Sequence, residues 1–379
     1  MNVNRVAVST AFFCQGFAFA ALITRIPAIQ DQFNFSEGGL AMILAGVPIL
    51  AGVGSVLAGL LAVRFHSAVV LRVCALIVGA GLVAVGAATT AGSFPGLLFA
   101  LALMGFGLGS VDATMNMQGI GVQAQVGRSV MASFYAWWSL ATILGALAAS
   151  VAAASTLSLL AFFAVVAVVL IPVGLIASTR FVRSHEADEA APDPLAASAS
   201  VPWRPLLVFG FAVVLAFIID SSVSNWSALD LTDVLGATES VAALAYAAYA
   251  LFMLIGRTFA DHLVGRRGAQ WLITVGGLLA AVGLLVVAVA PSAIVAIVGF
   301  AIIGLGISPV LPMAFVAASH HDPRHTGIAV ARVNVGNYIG FVIGAPLVGV
   351  IGEFSSLRVG FAVLVAAALG IAVMARSFD

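Results

Sequence analysis

The sequence predicts an all-α polytopic membrane protein with twelve transmembrane helices in two pseudo-symmetric six-helix halves. Three observations predict it. Of 379 residues, 63% are apolar and only 8% charged. The mean hydropathy is +1.19. The fifteen cations are all arginines, and they gather on alternate sides of about twelve apolar runs. A soluble core could not hide this much hydrocarbon from water, so lipid is the solvent for most of the surface.

A helix needs roughly 20 apolar residues to cross the hydrocarbon of a bilayer. Such runs fall at about 6–28, 38–62, 70–90, 94–118, 129–153, 157–178, 205–227, 240–260, 270–290, 293–318, 326–350 and 356–375. Pro27, the Ser93-Phe94-Pro95 turn, Pro291, the Asp322–Pro323 pair and the Glu353–Ser356 corner punctuate them. Lipid offers no water to an open backbone, so the runs must be helices, and their continuous apolarity excludes the alternation of a barrel strand. Arg5 precedes the first run as it would in a signal peptide. The run's length, Gln15 in its middle and the eleven runs that follow predict a retained helix instead.

Orientation follows from the arginines of the short loops. Arg25 and Arg358 fall on one side, and the other thirteen of the fifteen on the opposite side, which is therefore cytoplasmic. An even number of crossings puts both termini in the cytoplasm. The longest polar stretch, 179–202, is rich in Ala, Ser, Pro and acids and lacks a hydrophobic period, so it reads as a cytoplasmic linker. It divides the chain into halves 1–178 and 203–379. The halves echo each other: Gly105 and Gly107 recur as Gly304 and Gly306, and Gly145-Ala146 as Gly344-Ala345, each pair 199 residues apart (304 − 105, 344 − 145).

Several classes are excluded. Zero formal charge gives no footprint for nucleic acid. A chain without lysine has no phosphate-binding loop of the Gly-x-x-x-x-Gly-Lys type, so it is not an ATP-driven pump. No catalytic constellation marks an enzyme and no motif calls for a cofactor. Cys14 and Cys74 lie in different runs without ligand spacing, and His320, His321 and His325 sit in a cytoplasmic loop beside Arg324, so no metal site is expected. Duplicated halves with scattered midplane polar groups suit alternating access better than a channel.

Two six-helix repeats joined by a cytoplasmic linker resemble the major facilitator superfamily across the whole chain. The local match is GRTFADHLVGRRG at 256–268, similar to that family's loop signature. The resemblance implies a cytoplasmic latch made by Gly256, Arg257, Asp261, Arg266 and Arg267. Its counterpart in the first half keeps Gly59 and Arg64 but has Val63 where the family pattern has Asp. TRIPAI at 24–29, DATMNMQG at 112–119 and NWS at 225–227 resemble the fucose-permease-like bacterial carriers. The fourth run lacks the membrane arginine, and the fifth the Gly-Pro signature, of many proton-driven drug exporters.

Ionisable groups at bilayer depth are costly and mark candidate sites. Asp220 lies about 15 residues, or roughly 22 Å, into the seventh crossing of about 30 Å. It is either a proton-binding carboxylate or solute ligand, or a structural acid bonded to nearby Ser and backbone groups. Asp112, one turn from Asn116, is the second candidate for proton coupling, or else a helix-linking acid. Arg332, about six residues into the eleventh run, either meets a carboxylate or anionic solute or snorkels to the interface. Gln15, Asn116, Asn334 and Asn337 suit polyhydroxyl or heterocyclic solutes, and equally suit helix-to-helix hydrogen bonds. Asn225 stands at the outer end of the seventh run. Tyr135 and Trp138 share one face, and Tyr246, Tyr249 and Met253 form a stripe; both suit ring stacking or plain packing.

Together these predict a secondary carrier of the bacterial inner membrane, functional as a monomer, that takes up a small polar organic solute with protons. A sugar-like compound or a ring-bearing nutrient such as a vitamin fits. The alternatives are a proton-driven exporter of drugs or metabolites and a non-transporting membrane receptor or partner protein.

Overall fold

The computed structural model describes residues 3–35, 37–155, 157–182, 198–322 and 324–378. Nearly all of these are helical, with no strand among them. Twelve spans are long and apolar enough to cross a bilayer: α1 (Val3–Phe33), α2 (Gly46–Phe65), α3 (Ser67–Thr90), α4 (Phe94–Val126), α5 (Met131–Ala154), α6 (Leu159–Ser178), α7 (Trp203–Val234), α8 (Val241–Arg267), α9 (Ala269–Ala288), α10 (Ala293–Ser319), α11 (Ile328–Phe354) and α12 (Leu357–Phe378). Most of the expected linker, 183–197 with Arg183, lies outside the described residues.

The spans follow the apolar runs, and proline explains where they depart. In α1 the helix stops at Ile23 and restarts at Ile26 with Pro27 in its first turn. Proline has no N–H to give to the preceding turn, and its ring crowds the carbonyl four residues back. α10 likewise breaks into Ala293–Ile307 and Val310–Ser319 around Pro309. α7 ends in a π-helical turn, Asp230–Val234. Three starts are capped by serine hydroxyls that accept backbone N–H groups: Ser93 from Gly96, Ser158 from Ala161 and Ser356 from Val359.

The chain forms two compact units. One comprises Met1–Gly127, Trp137–Val201 and Asp322–Asn334; the other comprises Arg128–Ala136, Pro202–His321 and Val335–Asp379. In the first, α4 packs along α2 and α3, while α6 packs on α1 and α3. In the second, α10 packs along α8 and α9, while α12 packs on α7 and α9.

Lipid gives helices no hydrophobic reason to associate, so close packing and hydrogen bonds must hold them. The echoed glycines supply the packing. A Cβ at Gly105 would lie 2.7 Å from the Val47 carbonyl oxygen of α2, and one at Gly304 would overlap the Tyr249 carbonyl oxygen of α8. Gly145 meets the Phe17 carbonyl of α1, and Gly344 the Ile218 carbonyl of α7, in the same way. Each unit thus uses a glycine at the same repeat position to bring the same pair of helices together. Outward-facing side chains such as Val168, Ile176 and Val373 are large, apolar and exposed, as lipid contact requires.

Candidate solute and proton site

In the second unit a polar cluster inside the spans is built from α7, α8 and the first turns of α5. The Tyr249 hydroxyl donates to the Asp220 carboxylate. Tyr249 is only 1% exposed, and close packing of Gly304 against its backbone fixes its height. The ring of Tyr246 lies 5.8 Å from that of Tyr249 and is 46% exposed. Asp220 itself is half-buried.

Arg257 completes the cluster. It stands eight residues beyond Tyr249, two turns along the same face through Met253. Its guanidinium lies 5.3 Å above the Tyr135 ring, and that ring stacks on Phe315 at 6.5 Å. Arg257 is 7% exposed, and its charge acts on Asp220, Tyr135, Tyr246 and Tyr249. The sequence reading expects Arg257 in a cytoplasmic latch; the structure sets its guanidinium beside Tyr135, ten positions inside the end of α8, about 15 Å at 1.5 Å per residue. The continuation of the Tyr249–Met253 stripe to Arg257 was the signal in the sequence.

The remaining residues at the outer half of α7 bind its neighbours. The Ser221 and Ser222 hydroxyls donate to the Phe341 and Gly344 carbonyls, and the Trp226 indole donates to the Ala345 carbonyl at 2.8 Å. Asn225 turns back on its own helix, donating to the Ser221 carbonyl at 2.7 Å. Asn337 is buried on α11.

The first unit brings together two other expected pairs. The Trp138 indole N–H donates to the Gln15 side-chain oxygen, beneath which Gly16 leaves room for the Trp138 ring. The Asn116 amide donates to the Asp112 carbonyl at 2.8 Å and to its carboxylate at 3.3 Å. Asn334 serves helix contact, its amide donating to the Ser55 hydroxyl of α2 at 3.1 Å. A cavity of about 60 Å³ beside Gln15 is lined by Cys14, Arg72 and mostly aliphatic neighbours. That is far below the few hundred Å³ of small-molecule pockets.

Arg332 reaches the residues that precede α7. Its guanidinium donates to the Val201 carbonyl at 2.6 Å, and to the Ser198 carbonyl and hydroxyl at 2.7 and 2.8 Å. Being so near the start of α11, it reaches the end of the linker. Gln118 does the same for the linker's beginning. Its amide donates to the Val182 carbonyl at 3.0 Å and to Ser67 at 2.9 Å, and its oxygen accepts the Val182 N–H at 2.8 Å.

Comparison with known proteins follows this geometry. The family model of the Major Facilitator Superfamily matches residues 209–378. An uncharacterised MFS-type transporter of Yersinia pestis is 28% identical over 378 residues, covering 99% of this chain and 95% of the relative. The E. coli fucose:proton symporter FucP has a similar fold, with TM-score 0.73 and 15% identity over 99% of this chain and 98% of the other. So has the human organic anion transporter MFSD10, with TM-score 0.78 and 13% identity over 100% and 99%. The second half of the chain is thus similar to the Major Facilitator Superfamily, and the fold is that of solved transporters of that superfamily.

Relatives that the chain matches over nearly their whole length are described as transporters. The acid of the 256–268 motif, Asp261, caps the start of α5. Its carboxylate accepts the Ser129 hydroxyl at 2.7 Å and the backbone N–H groups of Ala132 and Ser133 at 3.1 and 2.8 Å. Gly256 packs against Ser308, where a side chain would overlap the hydroxyl. Arg266 and Arg267 are exposed, and Arg267 lies 5.6 Å above the Trp271 ring. Arg64 is exposed against its neighbour Phe65, and Val63 is buried.

Proposed function

We propose that this protein is a secondary transporter of the bacterial inner membrane, with both termini cytoplasmic and 179–202 as linker between halves 1–178 and 203–379. It takes up a small polar organic solute together with protons by alternating access, and it works as a monomer. The solute is sugar-like or a ring-bearing nutrient.

The observation that carries the reading is the hydrogen bond from Tyr249 to Asp220 inside a helix-lined aromatic cluster. A carboxylate at that depth, partly accessible and steadied by a phenol, is suited to take and release a proton once per cycle. Tyr246, 46% exposed, offers a ring face to a solute. The Asp112–Asn116 pair is the second proton-coupling candidate, and Asp261 biases the transport cycle through its cap on α5.

The test starts with a thermal-shift screen of the purified protein against sugars, vitamins and antimicrobials, since a ligand of the folded state raises its apparent stability. A hit is then followed in proteoliposomes under an imposed pH gradient. Asp220→Asn is expected to bind and exchange the hit while losing proton-driven accumulation. Wild-type accumulation with the wild-type pH profile in that variant refutes the assignment. Accumulation on the opposite polarity, in inverted vesicles, would make the protein an exporter.

A further inference from the structure

We infer that the cavity between α1, α3 and α6 holds part of an acyl chain of an anionic phospholipid, whose phosphate is bound by Arg72 at the cavity's polar end. All of its lining residues belong to the first compact unit. Arg72 stands in the second turn of α3 and Ser178 is the last residue of α6, so the polar end lies at one face of the membrane. From Arg72 the lining runs along α3 to Leu82, ten residues (82 − 72) or about 15 Å at 1.5 Å per residue. That is half of the roughly 30 Å of bilayer hydrocarbon, the depth of one leaflet.

The mouth faces lipid. Leu71, Val78 and Leu82 at the back of the cavity are buried, whereas Leu76 and Leu175 at its edge are exposed and continue into the exposed apolar side chains of Val73 and Ile176. Gly174 makes room in the wall, since a Cβ there would meet nothing within 4 Å. The enclosed space of about 60 Å³ takes about four to six chain atoms, because one water needs roughly 10–15 Å³ and a methylene is of similar size. A stretch of chain fits, with the remainder lying along Leu76 and Leu175. Aliphatic walls give water few hydrogen-bond partners, while a methylene restores the dispersion contacts that a gap forfeits.

Arg72 selects the head. Its Nε donates to the Ser178 hydroxyl at 2.8 Å and its Nη2 to the Ser178 carbonyl at 3.0 Å, which fixes the guanidinium at the end of the cavity. Both acceptors are uncharged, and Nη1 takes part in neither bond, so the planar fork has N–H groups to present to a phosphate oxygen. The Ser178 hydroxyl gives its own proton to the Leu175 carbonyl at 2.6 Å, so recognition of the head falls to the arginine. A zwitterionic head carries its own cation close to the phosphate, which competes with the guanidinium. A head with net negative charge does not.

The test is native mass spectrometry on the purified protein in detergent, with dioleoyl phosphatidylglycerol or dioleoyl phosphatidylcholine added, so that the chains are identical and only the head differs. The wild type is expected to bind one phosphatidylglycerol about tenfold more tightly than phosphatidylcholine, the order that a charge-assisted hydrogen bond gives. Arg72→Gln should bring the two lipids to the same level. Gly174→Leu fills the cavity from a position whose Cβ meets open space, and it should weaken both lipids at least about threefold while leaving their ratio as it was. This second variant keeps the test valid if Arg72→Gln does not fold. Glycerol 3-phosphate, a head without a chain, should not compete.

Three results overturn the inference: equal affinity for the two lipids in the wild type, a preference that survives Arg72→Gln, or binding unchanged by Gly174→Leu. Several equivalent adducts that neither variant alters would be annular lipid only, and displacement of the lipid by glycerol 3-phosphate would make Arg72 a site for free phosphate; either also overturns it. Solute and proton movement enter none of these outcomes, so the transport reading stands or falls separately.

Discussion

Removing the Asp261 carboxylate is expected to loosen the first turn of α5 by a measurable amount. Asp261→Ala deletes the acceptor of three hydrogen bonds, two from the Ala132 and Ser133 amides and one from the Ser129 hydroxyl. Losing an N-cap costs about 1 kcal/mol, and losing a negative charge at a helix N-terminus about 0.3–1 kcal/mol more. The two amides lose charge-assisted bonds as well, so a total of about 2–3 kcal/mol is reasonable. At 1.36 kcal/mol per factor of ten, that is about a 30- to 150-fold rise in the opening of this turn. Hydrogen exchange on a peptide covering 128–136 reads it directly, since the two amides are the exchanging groups. Asp261→Asn keeps one acceptor oxygen without the charge and should cost about 1 kcal/mol, roughly a fivefold change. Unchanged exchange in Asp261→Ala would refute the cap. If the cap biases the transport cycle, Asp261→Asn slows transport while leaving solute affinity in place; equal loss of both would refute that role.

Two further outcomes are expected. After replacement of Cys14 and Cys74, a cysteine at Ser198 should be shielded from impermeant thiol reagents in intact cells and one at Thr238 labelled; the reverse pattern overturns the arginine argument for topology. Gly304→Ala forces a methyl into the Tyr249 carbonyl and should destabilise by about 1–3 kcal/mol, read as a lower melting temperature, with the phenol displaced from Asp220; an unchanged melting temperature would show that α10 gives way without cost.

The spans were legible because bilayer thickness imposes a length and Pro27 marks a break, whereas the break at Pro309 inside the run 293–318 was not read. The duplicated glycines were legible too, though only the structure reveals that Gly105 and Gly304 admit equivalent partners, Val47 and Tyr249. Side-chain destinations were harder to read. Arg257 sits in a motif that reads as a loop, but the helix runs ten residues past it, and what decides its surroundings is Tyr135, distant in sequence. Amides are ambiguous by nature: Asn334 and Gln15 have the same chemistry, yet one joins α2 to α11 and the other receives an indole. The reach of Arg332 to Ser198 depends on where the chain returns after 183–197, which no periodicity records.

The two clamps on the linker make it something other than a joint. Val182 is held by Gln118, and Ser198 and Val201 are held by Arg332, and all of these residues belong to one compact unit. The described residues on either side of 183–197 are thus moored on the same unit, which the chain next leaves after Val201. For a stretch joined at both ends to one unit, length enters only through the logarithm of the loop. Doubling it costs about 0.6 kcal/mol, so a reporter protein inserted there should leave transport unaffected, whereas trimming it short enough to strain either mooring should not.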